Sequence, residues 1–455
     1  MNNSKVLVAL KYYKGELNPF DCSALEFALS LNCEVTVVAM APPSVLDQLK
    51  GITRLGVKAV LISDVKYAGS DTIVTSNILA KAIEKLNPDY VFCGRQSVDG
   101  DTAQVPPMLA KRLNYNIVTK VTDIKEDVLV LRSGKQVSID KKTVVTFEKS
   151  KKLRFPSIFS KMGEVEVWDN TILNIPNESC GINGSPTKVV RSYESSVGRR
   201  FCEFKEFNEL DSLINNALNK QTIKEVIETK EKLDKIYYVG KVKGIAEKIS
   251  NNAFELPIID KTAEEVAQFI NENEIKHVIW EDSDELKILS AQVAVLLNAG
   301  LCADCISFSV ENGRLIMTRP AQGGSVTADI VATSSVTMAT VRTVKEDGAD
   351  VVFSIGKGAV EKKEQIIALA KKYNADVCCS RIVADNGDMP YECQVGLTGK
   401  TVCPKVYVAF GISGAVQHTC AISGARTVIA INNDKDARIF DYADYGIKED
   451  INKLF

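Results

Sequence analysis

Uninterrupted apolar, β-branched runs recur in this chain between stretches of helical periodicity. KVLVAL covers Lys5–Leu10, VTVVAM covers Val35–Met40, AVLIS covers Ala59–Ser63 and YVFCG covers Tyr90–Gly94. A strand that is apolar on both faces has to be covered on both, and a parallel sheet flanked by helices does this. The intervening segments fit. Asp21–Leu31 sets Leu25, Ala28 and Leu29 on one helical face, Ser44 is placed to cap a helix over Val45–Leu55, and Asp71–Leu86 forms a longer helix. In such sheets ligands sit beyond the carboxyl ends of the strands.

The pattern returns twice. KIYYVG (Lys235–Gly240), HVIW and a helix over Leu286–Leu297 open a second unit. DVVFSIGKG (Asp350–Gly358), a helix over Lys363–Tyr373 and the strands ADVCCS, KVYVAF and TVIAIN make a third. At 455 residues the chain exceeds what one hydrophobic core supports. The expected fold is therefore α/β, with three Rossmann-like, doubly wound parallel-sheet units. Residues 122–165 differ: VLVLRSG and KTVVTF read as antiparallel strands and KSKKLR as an exposed loop. Asn177–Pro186, rich in Gly, Asn, Ser and Pro, marks a boundary, and Phe201–Lys232 reads as linker helices. The expected domains are 1–191, a linker at 192–234, 235–349 and 350–455.

A formal net charge of -2 argues against nucleic acid as the main partner. No apolar run reaches the roughly 18 residues that span a bilayer. MNNSKVLVALKYY reads as a first strand rather than a leader, so a cytoplasmic protein is expected. Cys302 and Cys305 form a CxxC with no second pair, and His277 and His418 are the only histidines. The cysteines thus read as buried thiols, and metal binding is not expected.

The densest chemistry lies between Ser380 and Asp450. VGLTGKT (Val395–Thr401) is a glycine-flanked turn, and GISGAVQH (Gly411–His418) directly follows KVYVAF. Glycines and Ser413 ahead of a helix let backbone N–H groups approach an anion. Asn432 and Asp434 stand where TVIAIN ends. The Walker pattern is absent, and GxGxxG does not follow the first strand.

These segments, with the tail IFDYADYGIKED, resemble the α subunit of electron-transfer flavoproteins from about Asp350 onward. The resemblance implies FAD in residues 350–455. Ser380 would contact phosphate and Arg381 would lie beside the isoalloxazine ring. Gln394 and Thr398 would contact the flavin, in a turn completed by Gly396, Leu397 and Gly399. Ser413, Gly414, Gln417 and His418 match the GISGAxQH positions, and Asn432 and Asp450 those that hold the adenosine end. Arg381, Thr398 and His418 are the implied catalytic set. A cation and a histidine beside the ring favour its negatively charged one-electron-reduced form. Leu397 stands where the family usually has glutamine.

LNPFDCSALEFAL, LISDVKYAGSDT, GRQSVDGDTAQV and GSPTKVVR resemble the β subunit of the same family, from Lys5 to about Arg191. Both subunits are thus joined in one chain. RPAQGG (Arg319–Gly324) and MATVR (Met338–Arg342) resemble a shortened first domain of the α subunit. The resemblance implies a second nucleotide site at Ala9, Asp64, Asp99, Asp101, Thr102, Ala103, Gln104 and Val105. Its occupant is either AMP or a second FAD that takes hydride from NADH, as in electron-bifurcating members. DGDTAQV resembles the second type, although Pro106 replaces a usual glycine and lacks an N–H. KSKKLRFPSIFSKMG (Lys149–Gly163) resembles the β subunit's recognition loop, with Ile158 as anchor for an acyl-CoA-dehydrogenase-type flavoenzyme. Ferredoxin or flavodoxin would be a further partner of a bifurcating protein. The flavin domain would rotate about a hinge near Asp347–Val351, with Gly348. The reading from another class is a nucleotide-binding regulatory protein without redox work, which would be colourless.

Overall fold

The computed structural model describes residues 4–125, 128–194, 200–219, 231–322, 326–341 and 349–454. The chain divides into two compact units: Met1–Ser192, Thr229–Gln322 and Ala328–Val341 form the first, and Tyr193–Glu228, Gly323–Thr327 and Arg342–Phe455 the second. Asp347 and Gly348, the expected hinge, lie outside the described residues.

The first unit is built on a nine-stranded sheet. Its order is Val165–Trp168, Lys58–Ile62, Glu34–Met40, Lys5–Leu10, Tyr90–Gly94, Thr143–Phe147, Asn116–Lys125, Val128–Leu131 and Gln136–Ser138. The first seven strands are parallel and the last two pair antiparallel. Thr143–Phe147 corrects the sequence reading. It is a buried parallel strand in the interior of the sheet. Its threonines can be buried because Thr143 Oγ1 donates to the Asp140 carbonyl and Thr146 Oγ1 accepts from Lys120 N. Ser44 is a second correction. It lies inside a 3₁₀ turn, Pro43–Val45, and the helix that follows, Leu46–Thr53, has no side-chain cap.

A second, five-stranded parallel sheet runs in the order Ser250–Glu255, Leu233–Val239, His277–Glu281, Thr337–Val341 and Gly300–Cys305. This repeats the inner part of the first sheet, with Lys5–Leu10 and Leu233–Val239 in equivalent places. In both, an antiparallel excursion separates the last two strands in the chain. The second copy lacks a counterpart of Lys58–Ile62 and its preceding helix, which is why it reads as shortened. Its excursion strands, Ser307–Glu311, Arg314–Ala321 and Val326–Ala332, pair with Thr187–Glu194 in a four-stranded sheet.

Helix Val105–Leu113 packs on helix Asp284–Leu297, and Ile73 and Met108 share one core with Val266, Ile270, Trp280 and Ala294. Gln104, buried at the start of its helix, accepts from Thr72 Oγ1 and donates to the Leu301 carbonyl, 3.2 Å away.

The second unit carries a six-stranded sheet, parallel throughout: Glu203–Phe204, Tyr445–Ile447, Thr427–Ile431, Val406–Phe410, Val351–Ile355 and Asp376–Cys379. Part of the expected linker belongs to it. Helix Leu210–Asn219 buries Leu210, Leu213, Ile214 and Ala217 in the same core as Phe353, Val408 and Ile429. Asp211, Ser212, Asn215 and Asn216 face outward, which makes the segment look like a connector in sequence. Residues 220–230 of the expected linker lie outside the described set.

Asp71 ties the end of the N-terminal copy to its longest helix. Its carboxylate accepts from Val74 N at 3.1 Å, Thr187 N at 3.0 Å and Thr187 Oγ1 at 2.7 Å. Asp71→Ala removes a helix cap and this tie, each worth about 1 kcal/mol. The urea midpoint for the first unit should fall by an amount equivalent to about 2 kcal/mol at unchanged slope. An unchanged midpoint would show that neither contact adds net stability.

Candidate functional site

In the second unit, four successive parallel strands end on one edge, and each delivers expected site residues there. Ser380 follows Asp376–Cys379, Gly411–His418 follows Val406–Phe410, Asn432 follows Thr427–Ile431, and Asp450 follows Tyr445–Ile447. The turn Gln394–Gly399 joins the same edge through a bridge between Cys379 and Gln394. Leu397 N donates to the Gln417 carbonyl at 2.8 Å, which fastens that turn to the GISGAVQH segment.

The turns are shaped by glycines that tolerate no side chain. A Cβ on Gly399 would lie 2.2 Å from the Gln394 carbonyl oxygen, and one on Gly414 (φ 83°) would lie 2.1 Å from Ile439 N. Inside the first turn, Gln394 is buried and its Nε2 donates to Thr398 Oγ1 at 2.8 Å. Gly396 holds a positive φ of 149°, which L side chains rarely adopt, and donates its N–H to the Lys400 carbonyl.

Two polar side-chain atoms at this edge are buried without a protein partner: Ser380 Oγ and His418 Nδ1. Ser380 opens the helix Arg381–Asp385, so its hydroxyl stands where anions are favoured. Arg381, partly exposed, pairs with Asp385 at 3.2 Å. His418 is buried and its Nε2 lies 2.7 Å from the Tyr407 hydroxyl. Burial pushes its imidazole down to about 4, against a weaker opposing pull from the Val395 backbone, so the ring is neutral at physiological pH. Asn432 is partly spent on the fold: its Nδ2 donates to the Ile412 carbonyl and its Oδ1 accepts from Asp434 N. Asp450 caps the turn Ile451–Lys453. Ser413 and Gln417 are exposed. Buried hydroxyl and imidazole groups with open valences beside glycine-walled turns fit a phosphate-bearing flavin nucleotide.

The N-terminal site has the same logic. Ala9, Asp64 and Asp99–Val105 lie at or beyond the carboxyl ends of Lys5–Leu10, Lys58–Ile62 and Tyr90–Gly94. The loop 95–104 stands out, because the equivalent connection in the second copy is only residues 282–283. Asp101 and Ala103 hold positive φ of 52° and 54°, and the Asp101 carboxylate accepts from Gln96 Nε2. Thr102 lies between them, half-buried. Asp99 pairs with Lys11 at 2.8 Å, while its Oδ1 is buried without a protein partner. Burial raises its pKa, but the Lys11 ammonium and nearby hydrogen bonds outweigh this and hold it below the usual carboxylate range. The Asp99 carbonyl accepts from Gln322 N, so the second copy's excursion braces this loop.

Asp64 is different. Its two carboxylate oxygens accept from Lys66 N and Asn170 N, so it holds a turn. Gln104 is likewise engaged by Thr72 and Leu301, and Val105 begins the helix after the loop. Sequence reading missed Lys11 and Asp21. Asp21 is buried at the same edge and accepts from Lys11 N at 2.7 Å and Gly94 N at 3.0 Å. Burial raises it to about 7 despite those bonds. Its signal was an acid in the first turn of a helix whose other early residues are apolar. Among the described residues, no three His, Cys, Asp or Glu side chains gather as metal donors.

Comparison with known proteins agrees with this arrangement. The model of the electron transfer flavoprotein domain matches residues 6–149 and again 246–364, and that of the electron transfer flavoprotein FAD-binding domain matches 347–423. The chain belongs to the electron transfer flavoprotein family. It is 37% identical over 199 residues to the electron transfer flavoprotein subunit beta of Clostridium acetobutylicum, covering 40% of this chain and 76% of that protein. Two subunits from Anaerotignum propionicum also match it. The acryloyl-CoA reductase electron transfer subunit gamma is 32% identical over 46% of this chain and 88% of its own length. The corresponding subunit beta is 48% identical over 24% of this chain and 30% of its own length. One chain thus combines β-like and α-like parts, the latter ending in an FAD-binding domain. No helix among the described residues is long and apolar enough to cross a membrane.

Gly399→Ala tests the shape of the flavin turn. Its Cβ would meet backbone, so the turn has to shift. FAD retention should weaken about tenfold or more, a change of roughly 1.4 kcal/mol or above, read as the flavin-to-protein ratio after dilution and gel filtration. Full retention would place the flavin away from this turn.

Proposed function

We propose that this chain carries electrons through FAD in residues 350–455 to or from an acyl-CoA-dehydrogenase-type flavoenzyme, and that NADH loads it through a second FAD in the N-terminal copy. The observation that carries the second part is the loop 95–104, present in the N-terminal copy and missing from its counterpart. A loop with two left-handed residues and an open Asp99 oxygen supports binding of an extended nucleotide at a strand edge. The names of the Anaerotignum propionicum relatives support an acyl-CoA-type partner.

The residues divide the work as follows. When bound, FAD supplies one- and two-electron chemistry. Ser380 and the turns at Gly399 and Gly414 would hold it, with Arg381 and Thr398 beside the ring. A neutral His418 can offer one N–H. Lys11 and Asp99 would orient the second nucleotide, and Asp21 secures the strand ends beneath it. Releasing the nucleotides by denaturation and separating them by chromatography decides the occupant. Two FAD per chain is the expected result. One FAD and one AMP would sink the NADH-oxidising role and leave a simple carrier.

The docking surface would be the loop 149–163. Phe155, Ile158 and Phe159 are 95%, 84% and 87% exposed, so they do not fold back onto their own domain. The loop is pinned around them: Arg154 pairs with Glu26 at 2.7 Å, Arg54 Nη2 donates to the Ser157 carbonyl at 3.0 Å, and Gly163 N donates to Thr53 Oγ1 at 2.7 Å. A rigid loop with an apolar tip suits partner docking. Ile158→Ala should slow electron delivery to a cognate dehydrogenase several-fold at limiting partner, with flavin content unchanged. Unchanged delivery would remove the loop from the docking surface.

A further inference from the structure

His418 is one of two histidines in the chain, and its protonation chemistry is narrowed by one neighbour. Tyr407 is the second residue of Val406–Phe410, an interior strand with partners on both sides, and its side chain is fully buried. Its hydroxyl lies 2.7 Å from His418 Nε2, within the buried interior. Burial holds this phenol well above its ordinary range, so it keeps its proton. The thiols that act on Tyr407 through space, Cys378 and Cys379, are pushed up by burial to about 11 and about 12, so neither brings charge to the pair. A second hydroxyl, Ser354 Oγ, is buried beside Tyr407, and its hydrogen bond to the phenol pulls the phenol down against the larger effect of burial.

A neutral imidazole has one N–H and one lone pair. The phenol keeps its proton, and at 2.7 Å it can donate it to His418 Nε2; the ring's lone pair then faces Tyr407 and its proton sits on the other nitrogen. That other nitrogen, Nδ1, is buried without a well-formed hydrogen bond, although the Val395 backbone carbonyl acts on the ring.

We propose that Tyr407 is a positioning residue: its hydroxyl donates to His418 Nε2, fixes the ring as the Nδ1–H tautomer, and reserves Nδ1–H as a donor to the flavin. The proposal rests on FAD occupying this sheet edge. Nothing in the sequence marks Tyr407, which sits in an apolar run and reads as core. Its consequence is directional. A donor N–H beside the ring favours added negative charge there, whereas a lone pair would oppose it.

The experiment uses the intact, flavin-loaded protein with ¹⁵N-labelled imidazoles. With only two histidines, the long-range proton–nitrogen spectrum holds two ring patterns, and His277→Gln assigns them. The expected result is His418 as the neutral Nδ1–H tautomer from pH 8 down to pH 6. In Tyr407→Phe the Nε2–H pattern should appear, and the flavin's reduction potential should shift downward with FAD content retained. An Nε2–H tautomer in the unmodified protein overturns the proposal. So does a Tyr407→Phe protein in which tautomer and potential are both unchanged. If Tyr407→Phe fails to fold, the tautomer of the unmodified protein still decides. A purified protein without flavin would instead defeat the FAD assignment, while its spectrum would still report the tautomer.

Discussion

Parallel pairing is the constraint on which this molecule depends. A parallel strand cannot return by a tight turn, so each crossover runs over a face of the sheet and both faces become closed. In the second unit, Val351–Ile355, Val406–Phe410 and Thr427–Ile431 are buried at every residue. A ligand has no access to such a sheet except at its edges. At the carboxyl edge the chain leaves each strand through a turn whose N–H groups are not committed to the ladder. The glycines at 399 and 414 let those turns press against neighbouring backbone. Ser380 and His418 are left with open valences in the same place.

The first unit shows what a shared topology does and does not determine. Two sheets with the same strand order close the end of their first strand with a carboxylate. Asp21 accepts from Lys11 N at 2.7 Å in one, and Glu281 accepts from Lys241 N at 2.9 Å in the other. The copies diverge in the connection that leaves Tyr90–Gly94 in one and His277–Glu281 in the other. Residues 95–104 form a long loop, whereas 282–283 pass directly into a helix. The second copy braces the first through Leu301 and Gln322. A fold used twice can therefore carry a long loop in one copy and a brace for it in the other.

Much of this was legible in the sequence because burial on two faces demands uninterrupted apolar strands. Lys5–Leu10, Tyr90–Gly94 and Thr427–Ile431 match their runs closely for that reason. Thr143–Phe147 was misread because threonines interrupt its apolar run. Their hydroxyls are satisfied by Asp140 and Lys120, and partners so close to the strand in space carry no signal in a periodicity. The stripe Leu210, Leu213, Ile214 and Ala217 was read correctly as helical, but the core strands it packs against lie at Val351 and beyond. Sequence cannot pair elements that far apart without knowing the topology. The resemblance implies Asp64 as a ligand, and in the fold each of its oxygens also accepts from a turn N–H. The Tyr407–His418 bond was invisible because a strand tyrosine beside valines reads as core.

The central claim is that FAD rests on the carboxyl edge of the second unit's sheet, held by turns from several strands. Amide hydrogen exchange, compared between flavin-loaded and flavin-stripped protein, tests it most directly. Added protection should fall on 380–381, 394–399, 411–418 and 432, with little change at the opposite strand ends near Val351 and Val406. Protection concentrated at those opposite ends, or spread evenly over the unit, would contradict the account.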